Sequence, residues 1–175
     1  NKSLLQELFR GFHIQRWNDR VRPMELLEMD KHAHKMIIAY CLGKYEEDRG
    51  NKVNWQEIIK GGIYELLRRI TISDIKSPIY NTIRKNTDVF KRLNNYVFSE
   101  LEQKITNEEI RKELKDYLSN ELIIDKLSSR ILEAAHIYSS YWEFRIIKHS
   151  NPQTYQTIKI ETELLNTIDS FSDLA

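Results

Sequence analysis

An all-α fold is predicted for this chain, and three observations carry the prediction. Gly 5 and Pro 3 in 175 residues leave few positions for tight turns, the β-branched residues form no alternating runs, and apolar residues recur at helical spacing almost throughout. A chain of this length buries roughly 70% of its unfolded surface, enough for one domain over residues 1–175 with a real core. No multi-stranded sheet is expected.

The first helix is expected over Lys2 to Phe12, with Leu4, Leu5, Leu8, Phe9 and Phe12 on one side and Gly11 loosening its end. An irregular segment, HIQRWNDRVRP, then gathers Arg16, Trp17, Arg20 and Arg22 ahead of Pro23 and leads into a helix from about Glu28 to Lys44. Met36, Ile37, Tyr40 and Cys41 are expected to form the core face of that helix. After the polar loop EEDRGNKVN, Asn54 is positioned to cap a helix carrying Trp55, Ile58, Ile59, Gly62 and Ile63. Its continuation, ELLRRITISDIKSP over residues 65–78, is the stretch where chemistry is expected to concentrate. Leu66, Leu67, Ile70 and Ile72 are its apolar positions, with Glu65, Arg68 and Arg69 between them, and Pro78 ends the helical path. Ser77 is read as the cap of the next helix, and Asp74 at the bend is either a cap or a ligand.

Beyond Pro78 the periodicity predicts helices over about Ile79 to Lys85 and Asp88 to Lys104, and a short one opened by the capping box TNEE at Thr106. The longest helix is expected from about Asn120 to His149, with Leu122, Ile123, Leu127, Ile131, Ala134, Ala135, Tyr138, Tyr141 and Trp142 facing inward and His136 among them. A last helix starts at Asn151-Pro152 and ends near Ile168, followed by a frayed tail, SFSDLA.

Composition limits the function classes. Lys+Arg 27 against Asp+Glu 26 gives no basic face of the kind nucleic-acid binding needs. The single Cys41 lies in the apolar run MIIAYCL, so it is read as a buried small side chain with no disulfide, consistent with a reducing, cytoplasmic setting. No apolar run approaches the length of a membrane span, and no charged-then-apolar leader opens the chain. The chain starts at Asn1 rather than Met, which leaves room for a preceding N-terminal piece.

Several short motifs occur in a recognisable order: Arg16-Trp17, KHAHKMIIA at 31–39, VNWQEI at 53–58, SDIKSP at 73–78, EAAHIYSSY at 133–141 and SNPQTY at 150–155. In that order and spacing the chain resembles the HD-domain phosphohydrolases, and within them the bacterial 5′-deoxynucleotidase-like branch. The resemblance implies an HD-domain-like multi-helix bundle, a nucleoside monophosphate or other phosphorylated small molecule as ligand, a homodimer, and a divalent metal (Mn, Co, Zn or Mg) that acidifies a bound water for attack on a phosphomonoester. It places His32 at the first metal-binding His, Asp74 at the Asp of the turn, and Arg16 and Trp17 at the pair that contacts phosphate and sugar. The family's His-Asp pair falls on Glu65 and Leu66, its following Glu on Arg69, and its distant Asp on His136. The name-giving His-Asp motif is therefore absent.

Two readings of the altered site compete. In one, His32, Glu65 and His136 form a two-His, one-carboxylate metal set, with Glu65 and Asp74 as the catalytic carboxylates of a metal-dependent phosphomonoesterase. In the other, the metal is lost and the fold survives as a binding or structural module. Arg69, one helical turn from Glu65, is placed to pair with that carboxylate and to oppose a cation. Relative to the family pattern the substitutions add about three positive charges, which favours anion affinity over hydrolysis. The pocket is expected from residues 16, 17, 32, 65, 69, 74 and 136, with phosphate on Arg16 and Arg69. His32 and His34, two positions apart on a helix, point in different directions, so one is expected outside and the other bonded within.

Overall fold

The computed structural model describes residues 2–119 and 125–174. Eight α-helices are present among them: α1 Lys2–Phe9, α2 Glu28–Asp48, α3 Trp55–Thr71, α4 Ser77–Arg84, α5 Thr87–Leu101, α6 Glu108–Leu118, α7 Lys126–Lys148 and α8 Tyr155–Asp169. Short 3-10 turns follow α1, α5 and α8. No strand occurs among the described residues, and the single isolated bridge joins Gln15 to Leu27. The expected all-α architecture is what forms.

The chain divides into two compact units, Asn1–Ile14 with Ile63–Ile123, and Gln15–Gly62 with Ile124–Ala175, the boundary falling within α3. The first has a core of Leu4, Tyr64, Leu67, Ile72, Tyr80, Val97, Leu101, Ile105, Leu114 and Leu118. In the second, α2 lies along α7. There Ala39, Leu42, Ile58, Ile131, Leu132, Ala134 and Ala135 close one cluster, and Leu26, Phe144 and Ile147 close another.

Local chemistry explains the element ends. Asn86 accepts from Val89 N at 3.1 Å, Asn107 from Ile110 N at 2.9 Å and Asn54 from Glu57 N at 3.3 Å, each satisfying an amide that has no partner within its helix. Asn54 is thus the cap expected of it. Thr106 is not, because the helix starts later and Asn107 takes the role. Ser77 is likewise inside α4, whose first turn carries Pro78, and Lys76 precedes it with no side-chain bond. For α8 the cap is Thr154, three residues beyond the expected start. The predicted start of the longest helix, with Leu122 and Ile123, lies outside the described residues; α7 begins after Asp125, which accepts from Ser128 N at 2.9 Å and Ser128 Oγ at 2.6 Å.

Four packing expectations are corrected. On α2 the buried stripe is Glu28, Lys31, Lys35, Ala39, Leu42, Gly43 and Glu46, whereas Ile37 is 62% exposed and Tyr40 and Cys41 are also outside. Met36 alone of the expected face packs into the core. The apolar pattern misleads here because the inward stripe is largely charged. On α1, Leu4 is buried while Leu5, Phe9 and Phe12 are exposed, since the inward face is completed by Glu7, which is bonded to Arg10 and to Lys104. The tail SFSDLA packs instead of fraying. Phe171 and Leu174 are buried, Arg49 donates to Asp173 O at 2.6 Å, and Arg130 pairs with the Asp173 carboxylate. Trp142 turns outward and meets His34 edge-on at 4.7 Å.

Candidate functional site

In the second unit the segment between α1 and α2 is closed by backbone bonds: Arg16 N donates to Leu26 O at 2.8 Å, beside the Gln15–Leu27 bridge. Trp17 follows with φ of 53°, a left-handed conformation that a bulky side chain adopts at a cost of roughly 1–3 kcal/mol. That geometry turns the indole onto α7, where Trp17 Nε1 donates to Glu143 Oε2 at 3.0 Å. Arg16 reaches the same carboxylate through Nε, at 2.9 and 3.0 Å, and donates from Nη1 to Glu28 Oε2 at 2.7 Å. Asn151 pins the segment from beyond α7, accepting from Val21 N at 3.0 Å and donating to Val21 O at 2.8 Å.

Arg16 and Trp17 therefore do converge on one point, the Glu143 carboxylate. Glu143 is only 2% exposed. Burial alone would lower the Arg16 pKa, but the charges and bonds of Glu28 and Glu143 more than offset it and carry the pKa above its ordinary value. Two edges of the guanidinium are thus occupied by carboxylates before any ligand arrives. A crevice beside Trp17 is lined also by Arg20, Phe144, Lys148 and Asn151.

His32 and His136 lie in this unit too, both partly buried. A Cβ added at Gly62 would stand 2.6 Å from Met36 Sδ and 3.6 Å from His32 Cε1, so a side chain there would have to displace the Met36 thioether where α3 approaches α2. Of the neighbouring histidine pair, neither is fully outside, and the His34 Nδ1 is buried without a partner.

Glu65, Leu66, Arg69 and Asp74 belong to the first unit. Leu66 is buried at 5% exposure. Arg69 lies over the Tyr80 ring at 5.3 Å and forms no ion pair among the described residues. Arg68 stands between two rings, 5.6 Å from that of Phe90 and 5.4 Å from that of Tyr117. Burial pushes the Tyr117 hydroxyl up to about 12, with Glu65 adding to the rise and Arg68 opposing it. Asp74 is exposed in the turn after α3.

A family model described as 5′-deoxynucleotidase YfbR-like matches residues 4–173. The chain belongs to the YfbR-like 5′-deoxynucleotidase family. Among solved structures, an HD-domain phosphohydrolase from Listeria innocua superposes with a TM-score of 0.70 at 21% identity, over 99% of this chain and 82% of that one. At that identity the likeness speaks for the fold, which is that of an HD-domain phosphohydrolase. No curated protein matches the sequence.

HD-domain phosphohydrolases generally use divalent metals. Within either unit of this YfbR-like chain, no three described His, Cys, Asp or Glu side chains are gathered to hold one. His32 and His136 lie in one unit and Glu65 in the other, so neither unit contains the suggested set by itself. Leu66 offers no donor where the resemblance places a ligating Asp, and Arg69 brings a positive charge where it places a Glu. On the placement that the resemblance gives, Leu66 and Arg69 supply no ligand to a divalent ion.

The sequence reading missed Glu28, Glu143 and the bonding role of Asn151. Glu143 carried a faint signal: it lies two helical turns beyond His136, on the same inward stripe as the buried Ser139.

Proposed function

We propose that this YfbR-like chain binds a nucleoside monophosphate, or another phosphorylated small molecule, and turns it over very slowly or not at all. The observation that carries the reading is Leu66: a buried aliphatic side chain stands where the resemblance places a ligating carboxylate. Nearby, Arg69 supplies fixed positive charge. A guanidinium binds phosphate by charge-assisted bonds but does not make water appreciably more acidic, so anion affinity outlasts hydrolysis. The family match supports a nucleotide as the ligand.

Calorimetric titration with 2′-deoxyadenosine 5′-monophosphate, beside a phosphate-release assay with added manganese, cobalt, zinc or magnesium, tests both halves. Binding that weakens at least tenfold in Arg69→Ala, with negligible phosphate release, is the expected result. Brisk metal-dependent release that disappears in His32→Ala and Glu65→Ala would replace this reading with that of a rebuilt phosphomonoesterase.

A further inference from the structure

We propose that Arg68, Arg69 and Tyr80 form a binding site for a small oxyanion, inorganic phosphate or the phosphoryl group of a monoester, inside the first unit. It deepens the preceding reading, on which it rests, by naming what grips the phosphoryl group.

Arg68 forms no ion pair among the described residues, and its Nε–H is buried with no acceptor. The rings of Phe90 and Tyr117 cover the faces of the guanidinium, which compensates part of its charge. One of its N–H groups bonds to the Tyr117 hydroxyl, but the Nε–H lies in the guanidinium plane, where a ring face cannot accept from it. Burial works against the charge, while Tyr117, Tyr80 and Glu65 more than offset it, so Arg68 remains a cation.

Tyr80 is 7% exposed, and its hydroxyl is also buried without a partner. Its ring meets Phe90 edge-on at 6.3 Å, so Phe90 is the shared neighbour of Tyr80 and Arg68. The second guanidinium, Arg69, stands 5.3 Å over the Tyr80 ring. The Arg68 guanidinium, with its unused Nε–H, and the Arg69 guanidinium thus each border the Tyr80–Phe90 pair, whose Tyr80 hydroxyl is the second unused buried donor. Leaving such donors unpaired is costly, and water would satisfy the bonds without balancing the charge. An oxyanion does both. A phosphoryl group suits this set better than a carboxylate because its oxygens project out of one plane, as do two guanidinium groups and a phenol.

The test is calorimetric and thermal-shift titration of the full chain with inorganic phosphate and, separately, acetate, for the wild type, Tyr80→Phe, Arg68→Lys and Arg69→Ala. Tyr80→Phe keeps the ring and the core, so a lost response cannot be attributed to unfolding. Phosphate is expected to raise the melting temperature of the wild type and to bind about tenfold more weakly to Tyr80→Phe and to Arg68→Lys. Wild type indifferent to phosphate, acetate bound as tightly as phosphate, or Tyr80→Phe binding like wild type would each overturn the site. The two readings separate cleanly. Nucleotide binding that needs Arg69 but ignores Tyr80→Phe and Arg68→Lys would sink this inference alone, whereas fast metal-dependent turnover with phosphate still bound at Arg68 would sink only the preceding one.

Discussion

Removing the Glu143 carboxylate would leave the Arg16 guanidinium buried with Glu28 as its remaining carboxylate partner, and the Trp17 indole N–H without its acceptor. Stranding one member of a buried ion pair costs about 3–5 kcal/mol, so Glu143→Ala is expected to lower stability by that order in urea unfolding. The sequence made Arg16 and Trp17 visible as a pair worth attention. Their partner was not readable, since nothing local to residue 143 reports a bond made 127 positions away. Nor does any propensity mark Trp17 for a left-handed backbone; tertiary bonds impose it.

Among the elements, the start of α7 depends on Asp125. Asp125→Ala is expected to cost about 1 kcal/mol by removing the bonds to Ser128 N and Oγ. Burial pushes the Asp125 pKa up, but the Ser128 bonds outweigh it and hold the value below the ordinary 3.8. A carboxylate whose folded pKa is depressed stabilises above its unfolded pKa and loses that contribution as pH falls through the folded value. The difference between wild type and Asp125→Ala should therefore be full at neutral pH and be lost as pH falls through the depressed folded value, in acid titrations followed by circular dichroism. Where α2 crosses α3, Gly43 decides the spacing: a Cβ there would sit 2.5 Å from the Trp55 ring. Gly43→Ala should destabilise by about 1–2 kcal/mol, overpacking against a rigid indole outweighing the gain in helix propensity. Helices were legible from apolar spacing and sparse Gly and Pro, but of their caps only Asn54 was, Asn86, Asn107, Asp125 and Thr154 being set by bonds that the local sequence does not single out. The rotation of α2 was not, because its inward stripe holds Glu28, Lys31, Lys35 and Glu46, which periodicity assigns to solvent.

At the level of the whole molecule, no described helix is long and apolar enough to cross a membrane. The HD-type order of motifs was legible because it spans the chain, and the family match runs over nearly the same length. The aromatic residues of α7 divide: Phe144 is in the core, Tyr138 and Tyr141 are partly covered, and Trp142 is exposed. The outward face of α2, with Ile37, Tyr40, Cys41 and Tyr45, supplies an apolar stripe instead. A homodimer is the expected state, so light scattering at micromolar concentration should give about twice 21.0 kDa. A Tyr40→Glu change should return the monomer mass if that stripe is the contact.

The Arg16–Glu143 bond has a kinetic consequence, because it joins positions 127 apart in the chain. Closing so long a loop is entropically unfavourable until the intervening helices have assembled, which places the bond after the folding barrier rather than before it. Weakening it should leave the refolding rate almost untouched and speed escape from the native state. In stopped-flow measurements Glu143→Gln is expected to show a φ-value near zero, its whole effect falling on the unfolding limb, so that this single carboxylate governs how long the folded chain lasts more than how quickly it forms.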